Sequence, residues 1–128
     1  MDVFLIADDS PVIRKVARRL IEDLGFSVVE AADGDALLGA CLEAMPRAVL
    51  IDWDMPGTDS IEAIRTIRRM PNGSQPTLLY CTSGVQVSEM TRAKRAGASG
   101  FLMKPFNRKL LVDKFIETGL MSRPQRAA

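Results

Sequence analysis

The chain has 128 residues, room for one domain. Its 47% hydrophobic content suits a packed core rather than disorder, and 17 Lys and Arg against 16 Asp and Glu leave a net charge of +1, without the basic excess of a general nucleic-acid binder. There is no histidine, which excludes Ser-His and Cys-His catalysis and any histidine metal site, so a general base has to be Asp, Glu, Lys or Tyr.

The N-terminal "MDVFLIADD" is apolar but short, and it carries an acid where a signal peptide carries basic residues. It reads as a first strand, "VFLIA" (3–7). No stretch approaches the ~18 apolar residues of a membrane span, so a cytoplasmic protein is expected. A helix follows, with Ser10 to cap it, Pro11 at its first position and Gly25 at its end. Ile13, Val16, Ala17, Leu20, Ile21 and Leu24 form its apolar stripe; Arg14, Lys15, Arg18 and Arg19 read as a solvated opposite side. Next come a strand "SVVEA" (27–31) and a helix over about 35–44. Then come a strand "AVLI" (48–51) and a helix over about 60–70 with Ile61, Ile64 and Ile67 inward. "PNGSQP" breaks the chain before a strand "TLLYC" (77–81). A helix over about 88–96, a strand "GFLM" (100–103) and a helix over about 108–118 complete the pattern. Cys41 and Cys81 sit inside apolar segments and read as reduced, buried thiols.

Five strands alternating with five helices imply one parallel sheet covered on both faces, a doubly wound α/β fold with right-handed crossovers. In such sheets ligands bind beyond the carboxyl ends of the strands, where strand order reverses. The residues there are Asp8 and Asp9 after the first strand, Asp52 and Asp54 after the third, Thr82 and Ser83 after the fourth, and Lys104 and Pro105 after the fifth. Carboxylates forced together repel, and a hard divalent ion with oxygen ligands relieves them. A carboxylate can also form an aspartyl-phosphate, and phosphoryl transfer needs mainly positioning and charge neutralisation. These residues therefore suggest Asp52 as phosphoryl acceptor, Mg²⁺ held by Asp9 and Asp52, and Lys104 and Thr82 binding the remaining oxygens.

"ADDS", "LIDWDMPGTD", "CTS" and "GFLMKPF" occur in an order and spacing that resemble bacterial response-regulator receiver domains, over about residues 3–119. "DWDMP" with "AGASGFLMKPF" is most similar to the single-domain chemotaxis (CheY-like) type. The resemblance implies a flavodoxin-like (βα)5 sandwich of strand order 2-1-3-4-5. It implies that Asp52 is phosphorylated by a histidine kinase or a histidine phosphotransfer protein. Asp9 and Asp52 would bind Mg²⁺ (or Mn²⁺) directly, Asp54 through its backbone carbonyl and Asp8 through water. Thr82 would swing toward the phosphoryl group, the Phe101 rotamer would follow, and the Lys104–Pro105 bond would be cis. The fourth helix, fifth strand and fifth helix would form a switched protein-binding surface. The chain would be a signalling switch rather than an enzyme, with at most self-catalysed phosphorylation and dephosphorylation. A monomer is expected, a dimer being the alternative, with no membrane or nucleic-acid partner.

Three positions depart from the pattern. Ser60 stands where glycine is usual, so the turn there calls for another backbone conformation. Asp54 adds an acid, and Gly84 lacks the side chain often found two after the threonine; in the family that this chain resembles, both positions tune phosphorylation and its loss. Residues 1–119 read as the receiver domain and 120–128 as a short frayed tail without an output domain, in which Arg123 and Arg126 are candidate contacts for an acidic partner or a nucleotide. Trp53 is a built-in reporter beside Asp52. Within the family reading, a phosphorelay shuttle or phosphate sink is the alternative. Outside it stand a haloacid dehalogenase-type phosphohydrolase, a flavodoxin-like nucleotide binder and a phosphorylation-independent adaptor. The Asp-x-Asp pair follows the third strand and no cap domain fits, which weighs against the first; the acidic "DDSPV" weighs against the second.

Overall fold

The computed structural model describes residues 2–84 and 86–123. Strands β1 (Val3–Ala7), β2 (Ser27–Ala31), β3 (Ala48–Asp52), β4 (Thr77–Thr82) and β5 (Gly100–Met103) alternate with helices α1 (Pro11–Asp23), α2 (Gly34–Glu43), α3 (Ser60–Arg69), α4 (Val87–Ala96) and α5 (Arg108–Glu117). All strand pairs are parallel, in the order β2-β1-β3-β4-β5. This is the flavodoxin-like arrangement expected.

Side chains alternate across the pleat and so divide between two cores. Leu5, Ala7, Val49, Ile51, Leu78 and Tyr80 face α2, α3 and α4, where they meet Leu37, Cys41, Ile61, Ile64, Ile67, Ala93 and Ala96. Phe4, Ile6, Leu50, Leu79, Cys81 and Leu102 face α1 and α5, where they meet Ala17, Ile21, Leu111 and Phe115. Every residue of β3 is buried, as a central parallel strand requires. Phe4 stacks on Phe26 at 4.2 Å between ring centroids, and Phe115 meets Phe4 edge-on at 5.2 Å. Each fully buried Leu, Ile or Phe contributes roughly 1.5–3 kcal/mol.

Side-chain caps set four of the five helix starts: Ser10, Asp33, Asp59 and Asn107 each accept a backbone N–H of the first turn. Gln86 makes no such bond at α4. Gly25, at φ +98°, ends α1 in a conformation that suits glycine. Both cysteines are free and buried, and burial pushes the Cys41 thiol up to about 11.

The structure corrects three expectations. The arginines of α1 are not a uniformly solvated face: Arg14 and Arg18 both pair with Glu30 of β2 at the sheet edge, and Arg18 also donates to the Val28 carbonyl at 2.7 Å. Val16, counted in the apolar stripe, is 52% exposed, and Val12 is 71% exposed. Ala17 and Ile21, also in that stripe, supply the buried face of α1. The C-terminal segment begins inside the core: Leu120 is buried, donates its N–H to Phe115 O at 2.8 Å, and brings Met121 against the α5 side. Arg123 is exposed; Arg126 lies outside the described residues.

Candidate functional site

The sheet delivers the predicted residues to one rim. Asp8 follows β1, Asp52 ends β3, Thr82 ends β4 and Lys104 follows β5. Backbone bonds continue the ladder one rung past the strands: Asp8 N–H donates to Ala31 O at 3.0 Å, Trp53 N–H to Cys81 O at 2.8 Å, and Lys104 N–H to Thr82 O at 2.8 Å. The Lys104–Pro105 peptide is cis, as expected.

Asp8 and Asp52 are buried, while Asp9 is exposed. One carboxylate oxygen from each of the three lies within 4.8 Å of the others. Lys104 Nζ reaches both buried acids, donating to Asp52 Oδ1 at 2.7 Å and Asp8 Oδ2 at 2.9 Å. Asp8 Oδ1 also accepts the Ser10 N–H at 2.9 Å, and Arg14 donates to the Asp8 backbone carbonyl at 2.7 Å. Among the described residues the Asp9 carboxylate has neither an ion pair nor a hydrogen bond.

These contacts set the electrostatics. Burial pushes the Asp52 carboxyl above its ordinary value and the Asp8 charge adds to that; the hydrogen bond and charge of Lys104 and the Asp54 N–H pull the other way without cancelling it. Burial alone would lower Lys104, but its two carboxylate partners outweigh burial and raise it, so it stays an ammonium. Three convergent carboxylates, one of them open to solvent, fit a hard divalent ion that keeps part of its water shell.

The Thr82 hydroxyl is buried and turned onto the following turn, donating to Gly84 O at 2.9 Å and accepting the Gly84 N–H at 3.3 Å. A Cβ at Gly84 would meet nothing within 4 Å, so a larger side chain would fit there. Phe101 is half-buried against the α3/α4 side, its ring edge-on to Tyr80 with centroids 6.3 Å apart. Trp53 is 38% exposed on the rim, and the Asp54 side chain is exposed.

Ser60 needs no special backbone. It is the first residue of α3, buried, and its hydroxyl donates to the Asp52 carbonyl. Gly57, at φ +80°, takes the left-handed turn instead. Sequence reasoning missed this tie, the Arg14 contact to Asp8, and the hydrogen bond from the Tyr80 hydroxyl to Glu89. Tyr80 is the only tyrosine in the chain and stands two before Thr82 on the same face of β4, which is the signal that could have drawn attention to it.

The acid cluster and the lysine lie at the switch point of a doubly wound sheet, where such folds bind their ligands. The chain belongs to the response regulator receiver domain family, which residues 4–116 match. It is 31% identical to the chemotaxis protein CheY of Pseudomonas aeruginosa over 111 residues, covering 86% of this chain and 90% of that one. It is 32% identical to CheY-3 of Vibrio cholerae, covering 86% and 85%. The solved structure of Vibrio cholerae CheY4 superposes with a TM-score of 0.87 at 28% identity, covering 92% of this chain and 98% of that one. The receiver domain of the Pseudomonas aeruginosa sensor histidine kinase PA1611, solved with a magnesium ion in its active-site cleft, gives 0.84 at 27% identity, with the same coverage. The chain is thus a CheY-type receiver domain of two-component signalling. Among the described residues no helix is long and apolar enough to cross a membrane.

Proposed function

We propose that Asp52 accepts a phosphoryl group from a phosphohistidine on a histidine kinase or histidine phosphotransfer protein. An Asp52 carboxylate oxygen attacks phosphorus in line; the P–O bond forms, the P–N bond to the donor imidazole breaks, and the imidazole leaves with the bonding pair. The observation that carries this reading is the Asp8–Asp9–Asp52 cluster with Lys104 Nζ set between its two buried members. Asp9 and Asp52 would hold Mg²⁺ (or Mn²⁺) directly, with the Asp54 backbone carbonyl and, through water, Asp8; the ion would offset the charge on the phosphoryl oxygens. Lys104 remains close enough to pair with a phosphoryl oxygen, and the Thr82 hydroxyl supplies a donor once it leaves Gly84.

The donor has to approach over this rim. Exposed Val12 and Val16, with Ile13, Pro105 and Phe106, line an apolar hollow that borders Lys104 and suits a partner helix laid beside Asp52. Output is through the face made by α4, β5 and α5: Thr82 ends β4, which pairs on one side with β3, the strand of Asp52, and on the other with β5, the strand of Phe101. The protein works in the cytoplasm, with chemotaxis as the favoured pathway.

Asp52→Asn keeps the shape and removes the nucleophile. The variant should unfold like the parent yet take no label from radioactive acetyl phosphate with Mg²⁺. Undiminished labelling of a folded Asp52→Asn protein would refute the assignment.

A further inference from the structure

The face of the sheet that carries Thr82 also carries a hydrogen bond that the phosphoacceptor reading does not use. Tyr80 precedes Thr82 by two residues and is opposite Phe101 in the β4–β5 register, so all three side chains lie on the α3/α4 side. The Tyr80 ring is 1% exposed, and its hydroxyl donates to Glu89 Oε1 in the first turn of α4. Phe101 has no polar atom; the polar handle of this aromatic pair belongs to Tyr80.

That bond reaches the half of helix α4 that buries no side chain. The helix buries only Ala93 and Ala96, both in its second half, and its N-terminus has no side-chain cap. Four residues separate Thr82 from Val87, so the threonine and the first turn of α4 are close neighbours along the chain. In this structure Thr82 is bonded to Gly84 while Tyr80 holds Glu89, so the two bonds belong to one arrangement.

We propose that the Tyr80–Glu89 hydrogen bond is a latch that holds the first turn of α4 in its resting position, and that engagement of Thr82 with a phosphoryl group on Asp52 works against it. Tyr80 and Glu89 are positioning residues that touch neither the phosphoryl group nor the metal. The inference rests on Asp52 being the phosphoacceptor. Because apparent affinity scales with the population of the competent state, a broken latch raises affinity for a phosphoryl mimic without adding a contact to it.

The test uses the full chain, beryllofluoride with Mg²⁺ as mimic, Trp53 fluorescence as readout, and amide exchange of residues 87–90 without ligand. Tyr80→Phe removes the donor. Glu89→Ala removes the acceptor on the helix side and keeps every apolar side chain of the core. Glu89→Gln retains an acceptor oxygen. The first two should bind the mimic about tenfold more tightly, the effect of losing a hydrogen bond to a charged group, and should exchange the first-turn amides about tenfold faster. Glu89→Gln should stay within about threefold of the parent. Unchanged or weaker binding by both Tyr80→Phe and Glu89→Ala would overturn the latch even if exchange accelerates, because the bond would then be structural only. A parent protein whose fluorescence ignores Mg²⁺ and beryllofluoride would instead count against the phosphoacceptor site itself.

Discussion

Helices α3 and α4 are ten residues each and lie side by side on one face of the sheet, yet they are held in different ways. Three isoleucines and an alanine anchor α3, its Ser60 hydroxyl is tied to the Asp52 carbonyl, and Asp59 caps its start. Two alanines anchor α4, Arg68 of α3 ties the Gly97 carbonyl at its end, no side chain caps its start, and one phenol–carboxylate bond reaches its first turn from the sheet. The helix that follows β3 is built as a fixed wall. The helix that follows the threonine strand is built to be displaced, since a buried alanine leaves little apolar surface to separate.

The strongest test of that contrast is truncation. Ile64→Ala, at a fully buried position of α3, should cost about 2–5 kcal/mol in urea unfolding. Ala93→Gly, at a fully buried position of α4, should cost about 1 kcal/mol. Equal losses would erase the distinction between the helices. A finer test compares the starts of the two helices. Asp59→Ala should lose about 1 kcal/mol with the cap, whereas Gln86→Ala should fall within about 0.5 kcal/mol of the parent. A large loss at Gln86 would reveal a cap at α4 after all.

The smallest effect expected is in alkali. Burial, followed by the hydrogen bond to Glu89, pushes the Tyr80 phenol well above its ordinary value. A proton held more tightly in the folded state contributes stability that is complete below the unfolded pKa of about 10 and declines as pH rises beyond it. Cys41 and Lys104 are raised too, but they titrate alike in parent and variant. The urea midpoint of the parent should therefore fall further than that of Tyr80→Phe between about pH 8 and about pH 10. Parallel declines would mean that the phenol does not titrate with unfolding.

Period-two and helical patterning made the five strands and five helices legible, and the rule that ligands bind at strand ends was enough to bring Asp8, Asp9, Asp52, Thr82 and Lys104 to one rim. The roles of individual hydroxyls were not legible. Ser60 looked like a strained substitute for glycine, because nothing in its neighbours announces a carbonyl eight residues back that needs a donor. Val16 fits a helical stripe, yet that stripe is wider than the surface α1 covers, and Val16 stays in solvent. Arg14 and Arg18 carry the same charge as Lys15 and Arg19; only the placement of β2 beside α1 gives them Glu30 as partner. Each of these depends on register between elements distant in sequence, which local periodicity does not encode.

The backbone bonds that run one rung past the strands have a mechanical consequence. Asp8, Trp53 and Lys104 are each clamped to an adjacent strand by their own amide, so their side chains are short cantilevers on a stiff plate. The turn at Gly84 folds back onto the Thr82 side chain, so a hydroxyl secures it where amides secure the rest. The rim is three fixed posts and one hinged flap. A force applied at Asp52 meets resistance at three posts and finds its compliance at the fourth, so the direction of travel is set by how the sheet ends before any partner is present.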